Sequence, residues 1–275
     1  YSASACDKLL IPEGDERRKV IKIANPISED LSTARTVMAH ALLLDIAYNL
    51  SVGNKDLRLF EIGKVYLPKS LPLTELPVEN NRLSIAVCEN GFDFFKLKGI
   101  VENILVLTSL EYKIERSSEP YLHSGVSADI IAKDGKKIGS FGKLHKLVLK
   151  NYDISQDVYY AELDCDYLAQ LPEKKYETKE VSKYQAVGRD IAVVVDEKVT
   201  NAELISAIKS SCGKIFYDVQ LFDVYRNEAL GEDKKSMAYK ITFMSDEKTL
   251  TGDEINVAVN KVLKSLEFRY GARLR

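Results

Sequence analysis

From about residue 184 onward, hydrophobic and polar positions alternate between two rhythms, one of period two and one of period 3.6. Ile191 to Val195 is a short apolar, β-branched run bounded by Gly188 and Asp196, and it predicts a strand. Thr200 to Glu203 spells a capping box, in which the Thr hydroxyl and the Glu carboxylate each satisfy a backbone N–H left free at a helix start. Leu204, Ile205, Ile208 and Cys212 follow at helical spacing, and Gly213 supplies a stop. Val219 to Tyr225 and Met237 to Met244 predict two more strands. In the second, Met237, Tyr239, Ile241 and Phe243 share one face, and Ala238, Lys240 and Thr242 share the other. Thr251 to Glu254 is a second capping box, with an apolar stripe of Ile255, Ala258, Val259, Val262, Leu263 and Leu266 behind it. Residues 269–275 carry Arg269, Arg273 and Arg275 and predict a last strand. The order strand, helix, strand, strand, helix, strand is that of a ferredoxin-like βαββαβ domain, with both helices on one face of an antiparallel sheet.

The earlier part of the chain follows a different plan. Val20 to Ile23 suggests a short strand, broken at Asn25–Pro26 because a residue before proline avoids helical geometry. Ser28 to Asn49 predicts a helix with Ala34, Val37, Met38, Ala41 and Leu42 on one stripe. Its second half is apolar nearly all round, so it needs cover on several sides, from this chain or from a partner. Met38, Leu42 and Ile46 are the residues expected at such a subunit interface. Strands are predicted at 57–67, 83–88, 112–116, 128–133, 137–142 and 158–163. A helix is predicted at 100–110, with Ile100, Ile104 and Leu107 inward and Val101 a further candidate, and a short closing helix at 166–171. Asp134–Gly135 marks a tight hairpin. The fold class is therefore α+β: an antiparallel-sheet module over residues 1–172, then the ferredoxin-like domain over 182–275. Residues 173–181, dense in Lys and Glu, form the linker.

Composition narrows the function. The chain has 275 residues, 45% hydrophobic and 29% charged, as in an ordinary globular protein with room for two cores. No apolar run approaches the ~20 residues of a membrane span, so no membrane partner is expected. Tyr1 to Ala5 is not a signal peptide, and the chain reads as a piece of a longer polypeptide. A net charge of −2 argues against bulk electrostatic binding of nucleic acid, so any RNA contact must rest on a local basic patch. Cys6, Cys88, Cys165 and Cys212 form no close pair, which suits a reducing cytoplasm and no zinc or disulfide. No phosphate-binding glycine pattern occurs, and no metal or catalytic constellation stands out. His123 and His145 lack metal-ligating neighbours and read as turn residues. Cations and a ring collect late in the chain: Arg189, Tyr225, Arg226, Lys234, Lys235, Lys240, Arg273 and Arg275. In a ferredoxin-like sheet, the loop after the second strand and the end of the last strand can share one surface. Rings beside cations suit unpaired RNA bases. The bland alternative, ordinary solvated charges, stays open on composition alone.

Specific strings add a family resemblance. Val187 to Asp196, Leu221 to Tyr225, Lys235 to Lys240, Lys248 to Thr251 and Gly271 to Arg275 stand in order along the last domain. Together they resemble the ferredoxin-fold anticodon-binding domain of the bacterial phenylalanine–tRNA ligase β-subunit family. Asn25 to Glu29, Leu31 to Leu50, Leu59 to Gly63, Phe94 to Gly99 and His123 to Gly125 resemble the catalytic-like class II synthetase module of the same family. The resemblance covers nearly the whole chain. It implies a piece that scaffolds a catalytic α subunit in an (αβ)2 heterotetramer and holds the anticodon end of tRNA, with no DNA partner. ATP and magnesium would serve the whole enzyme, and no cofactor this fragment. A working class II site needs arginines for ATP phosphates. No arginine stands between Arg116 and Arg189, Lys143 is the cation of the segment 141–145, and Arg58 and Glu61 make half a clamp, so no catalytic residue is expected. The family's prolines after the two histidines are replaced by Ser124 and Lys146, which puts the turn geometry there in question. Two other classes of function remain: an active ligase domain, against which the missing arginine speaks, and a structural assembly module without tRNA contact.

Overall fold

The alternation along residues 57–67 becomes an edge strand. The structure, a computed structural model, describes residues 1–2, 4–173 and 182–275. It divides into two compact units, Tyr1–Tyr176 and Glu177–Arg275. The first unit holds α1 (Ala5–Lys8), α2 (Ala39–Ser51), β1 (Leu57–Leu67), β2 (Val78–Cys88), α3 (Phe94–Leu105), β3 (Tyr112–Arg116), β4 (Leu122–Ala132), β5 (Lys137–Leu144), α4 (Lys146–Asn151), β6 (Tyr159–Asp164) and α5 (Cys165–Ala169). Its strands form one six-stranded sheet in the order β1-β2-β6-β5-β4-β3, antiparallel throughout. Successive residues of a strand face opposite sides. Ala86, Cys88 and Tyr160 therefore join Leu42, Leu43 and Ile46 of α2 in one core, while Ile85, Val87, Ala161 and Leu163 join Leu97, Val101 and Leu105 of α3 in another.

Two helices differ from the pattern-based expectation. The helix expected from Ser28 begins only at Ala39. The backbone before it is bonded elsewhere: Thr33 N–H donates to Tyr1 O (2.9 Å), Ala34 N–H to Ile21 O (2.9 Å), and Tyr66 N–H to Arg35 O (2.8 Å). Groups committed to neighbouring segments cannot also close helical turns. The short strand at 20–23 reduces to an isolated bridge between Lys22 and Thr33. The second helix starts at Phe94, because Asp93 Oδ1 accepts from Lys96 N–H at 2.8 Å and caps it there. That start turns Leu97, Val101 and Leu105 inward. Ile100 and Ile104 flank the core, and Leu107 lies beyond the helix end, 64% exposed.

The second unit follows its pattern closely. It comprises β7 (Val187–Asp196), α6 (Asn201–Cys212), β8 (Phe216–Tyr225), β9 (Lys234–Phe243), α7 (Gly252–Tyr270) and β10 (Arg273–Leu274). The sheet order β10-β7-β9-β8, antiparallel throughout, is the ferredoxin-like one. Both capping boxes form, at Thr200/Glu203 and Thr251/Glu254. Met237, Tyr239, Ile241 and Phe243 are 3, 0, 0 and 0% exposed and meet the buried stripes of both helices. The last strand is shorter than expected. Arg269 and Tyr270 end α7, and Gly271 at φ 60° adopts the left-handed C-cap that lets the chain turn back to the sheet. Of the expected linker, only Glu173 falls among the described residues, in a bridge to Thr108.

Candidate nucleic-acid interface

Helices α6 and α7 cover one face of the terminal sheet, so strand residues of the opposite parity form an open face. Cross-strand partners share a side, and the register gives its rows. Arg273, Val194, Ser236 and Tyr225 lie in line across all strands. In the next row Ala192, Ala238 and Asp223 lie together, and Arg275 N–H bonds to Ala192 O at 2.9 Å. Beyond them come Asp190, Lys240 and Gln220. The floor between Tyr225 and the terminal arginines is thus made of small side chains, and Ser236 there is 2% exposed.

The Arg275 guanidinium crosses this floor and lies over the Tyr225 ring, 4.6 Å from its centroid. Asn227 Nδ2 donates to Tyr225 Oη at 2.7 Å and holds the ring at its hydroxyl end. A cation–π contact at an exposed site contributes about 0.5–1 kcal/mol, enough to order the pair without locking it. Tyr225, Arg273, Arg275 and Lys240 are all brought to one face. Arg226 and Lys234 sit at its upper edge, each with a carboxylate. Arg226 holds Glu197 in a two-bonded pair (2.7 and 3.2 Å), and Lys234 meets Asp196 at 2.5 Å. The hydrogen bond from each cation pulls its partner's carboxyl below the usual range. Such exposed pairs are worth about 0–1 kcal/mol, so a phosphate can displace the carboxylate at little cost.

Two candidate residues lie elsewhere. Lys235 has the parity of Met237, not of Lys234. It is 8% exposed and donates to Glu197 O at 2.8 Å, so it ties the β7–α6 turn to β9. Arg189 pairs in register with Ile241 and shares the helix-side parity of Ile191, with its guanidinium on Gly188 O at 3.1 Å. The alternation that put Met237 and Tyr239 inside already implied the position of Lys235. Pattern reading missed Asn227 and the small floor, because a ring tether and a cross-strand row exist only once the strands are paired. It also missed the carboxylates of Asp190, Asp218 and Asp223, which make the lower part of the face unfavourable for phosphate.

In the first unit, Met38, Leu42 and Ile46 are 0, 3 and 0% exposed. They belong to the module's own interior and do not offer a surface to a second subunit. The exposed apolar residues of that region are Leu44 and Tyr48 on α2, Val52 after it, and Phe60 and Ile62 on β1. His123 Nδ1 accepts from Gly125 N–H and His145 Nδ1 from Leu147 N–H, both at 3.1 Å. The imidazoles themselves hold the turns where Ser124 and Lys146 stand. Arg58 is bonded to Glu89 (2.6 and 3.0 Å) and Lys143 to Asp157 (2.7 Å). Among the described residues no cluster of His, Cys, Asp and Glu could hold a metal ion, and no helix is long and apolar enough to cross a membrane.

Comparison with known proteins matches both units to one family. Residues 1–165 match the family model described as phenylalanyl tRNA synthetase beta chain CLM domain, and residues 182–275 match the ferredoxin-fold anticodon binding domain. The chain is 39% identical over 272 residues to a phenylalanine–tRNA ligase beta subunit of Clostridium acetobutylicum, covering 98% of this chain and 34% of that protein. It is 40% identical over 274 residues to that of Clostridium tetani, again covering 98% and 34%. To that of Syntrophotalea carbinolica it is 35% identical over 285 residues, covering 98% and 35%. The chain thus spans about a third of the length of the curated relatives it matches.

Proposed function

The chain belongs to the phenylalanine–tRNA ligase β-subunit family, and on that premise we propose that it is the part of the ligase that holds tRNA and scaffolds the catalytic α subunit of an (αβ)2 enzyme. The observation that carries the RNA reading is the Tyr225–Arg275 stack beside Arg273 on the open face. A ring and guanidinium groups over a floor of small residues suit an unpaired base and its phosphates, and an anticodon loop offers both. The ligand is the anticodon end of the tRNA for phenylalanine, and the compartment is the cytoplasm, in keeping with four free cysteines.

Phenylalanine activation with ATP and magnesium belongs to the α subunit in this reading. The residues here do not fit those cofactors: the late motif-like position carries Lys143 where a class II site needs an arginine, which leaves Arg58 as half of a phosphate clamp. The α subunit docks on the exposed apolar residues Leu44, Tyr48, Val52, Phe60 and Ile62 rather than on the buried stripe of α2. The test is aminoacylation by the whole enzyme as a function of tRNA concentration, with Arg273→Ala and Arg226→Ala in this chain. Both variants should raise the tRNA requirement and leave phenylalanine activation unchanged. Unchanged tRNA affinity in both, with the unit folded, would overturn the choice of face. Failure to bind any tRNA would leave the assembly role alone.

A further inference from the structure

The six-stranded sheet of the first unit carries a polar row where its neighbours are apolar. Glu61, Ser84, Glu162, Ser140 and Asp129 follow one another in register across five strands and share a face. Above them lies a cavity of about 270 Å3. Arg17, Arg82, Glu119, Lys137, Ser140 and Glu162 form its polar wall. Val37, Val65 and Leu67 supply its apolar lining.

The charges around it are unequally engaged. Glu119 accepts from Arg17 (2.7 Å) and Lys137 (2.6 Å), and Lys137 also meets Asp129 at 3.1 Å. Burial raises the Glu119 carboxyl, but those two cations outweigh it and hold it below the usual range. That half of the wall is closely ion-paired, although among the described residues the buried Asp129 Oδ1 accepts no hydrogen bond. The other half is not closely ion-paired. Among the described residues Arg82 donates no hydrogen bond: its nearest anion, Asp164, is 3.7 Å away and is shared with Lys136, and its buried Nε has no partner. Glu162 accepts from Tyr160 Oη (2.6 Å) and Met38 N–H (3.4 Å) but forms no ion pair among the described residues. Burial pushes its carboxyl up, against the pull of the Tyr160 hydroxyl and Arg82. A buried donor without an acceptor costs about 1–3 kcal/mol, more when charged. A single water, with a share of about 30 Å3, does not fill such a space.

We propose that this cavity binds a small zwitterion of the amino-acid class, with the ligand carboxylate on the Arg82 guanidinium and its ammonium on the Glu162 carboxylate. The planar guanidinium fork matches a carboxylate bidentately. The apolar lining receives the ligand's side chain. A nucleotide is a poor fit, because the volume is below the roughly 300–1,000 Å3 of ordinary ligand pockets and Arg17 and Lys137 are already neutralised. The inference is independent of the RNA reading, which concerns the other unit.

The experiment is titration calorimetry of the chain with glycine, L-alanine, L-valine, L-leucine and L-phenylalanine. For any binder, its amine analogue without the carboxylate and its acid analogue without the ammonium are titrated too. At least one amino acid should bind saturably, with both analogues at least about tenfold weaker, or about 1.4 kcal/mol. Glu162→Gln should weaken the amino acid at least as much and leave the acid analogue unchanged. Arg82→Met should weaken the amino acid and leave the amine analogue unchanged, and Arg82→Lys should recover part of the loss. If Arg82→Met does not fold by circular dichroism, Glu162→Gln carries the decision. No saturable heat with any of the five, or binding equally strong in the folded variants, overturns the proposal.

Discussion

Replacing Tyr225 by alanine separates the stacking part of the proposed RNA contact from its charge. The ring is 38% exposed, lies under Arg275 and is tethered by Asn227, so its loss opens no core cavity. The free chain should lose only the exposed cation–π contribution, about 0.5–1 kcal/mol. Binding should suffer more. A stacked base contributes about 1–3 kcal/mol, so affinity should fall roughly 5- to 160-fold. No phosphate contact is removed, so the slope of log K against log salt should hold. Arg273→Ala should instead flatten that slope by about 0.7, the value per phosphate on a single strand. Tyr225 and Arg275 touch, so their double variant should be non-additive by about 0.5–3 kcal/mol. The assay is fluorescence anisotropy of labelled tRNA across a salt series, with circular dichroism to check folding. A folded Tyr225→Ala chain with unchanged affinity would refute the stacking argument. So would a loss that appears wholly as a changed salt slope.

Three further outcomes are expected. Lys235→Met should leave tRNA affinity and its salt slope unchanged and alter only thermal stability, because Lys235 Nζ is spent on Glu197 O; weaker tRNA binding by the folded variant would contradict this. Met38→Glu should destabilise the first unit by about 3 kcal/mol or more, since it buries an unpaired charge at a position 0% exposed, whereas Tyr48→Glu should leave the melting temperature nearly unchanged and weaken association with the α subunit. His40, packed against Tyr152 and Tyr1, has its pKa lowered to about 4 by burial, with Lys8 and the N-terminus adding to it. The unfolded chain therefore binds the extra proton first: stability is full above about 6.5 and falls as pH drops towards 4. Melting curves between pH 7 and about 4.5 should show a smaller decline in His40→Gln than in the parent, and parallel curves would count against it.

The terminal domain was legible from its residues because its signals are local. A capping box fixes a helix start within four residues, and strict alternation in Met237 to Phe243 assigns each side chain to a face before any pairing is known. The first module carries fewer such signals. The stripe from Ala34 to Leu42 satisfies helical periodicity, yet Thr33 to Arg35 give their backbone groups to Tyr1, Ile21 and Tyr66, and only long-range pairing decides that. The apolar circumference of α2 was visible, but whether it meets this chain or a partner depends on which strands lie beneath it: Leu42 and Ile46 meet their own core, and Met38 before the helix is fully buried. At the proposed RNA face, the sequence supplied the cations and the ring. The tertiary structure chose among them: strand pairing set Tyr225, Arg273 and Arg275 on one surface, sent Lys235 to the other, and placed Asn227 beside the ring. Periodicity determines which way a side chain points from its own backbone. Which other backbone lies across from it is a property of the register, and the register is decided by how the two buried faces fit together.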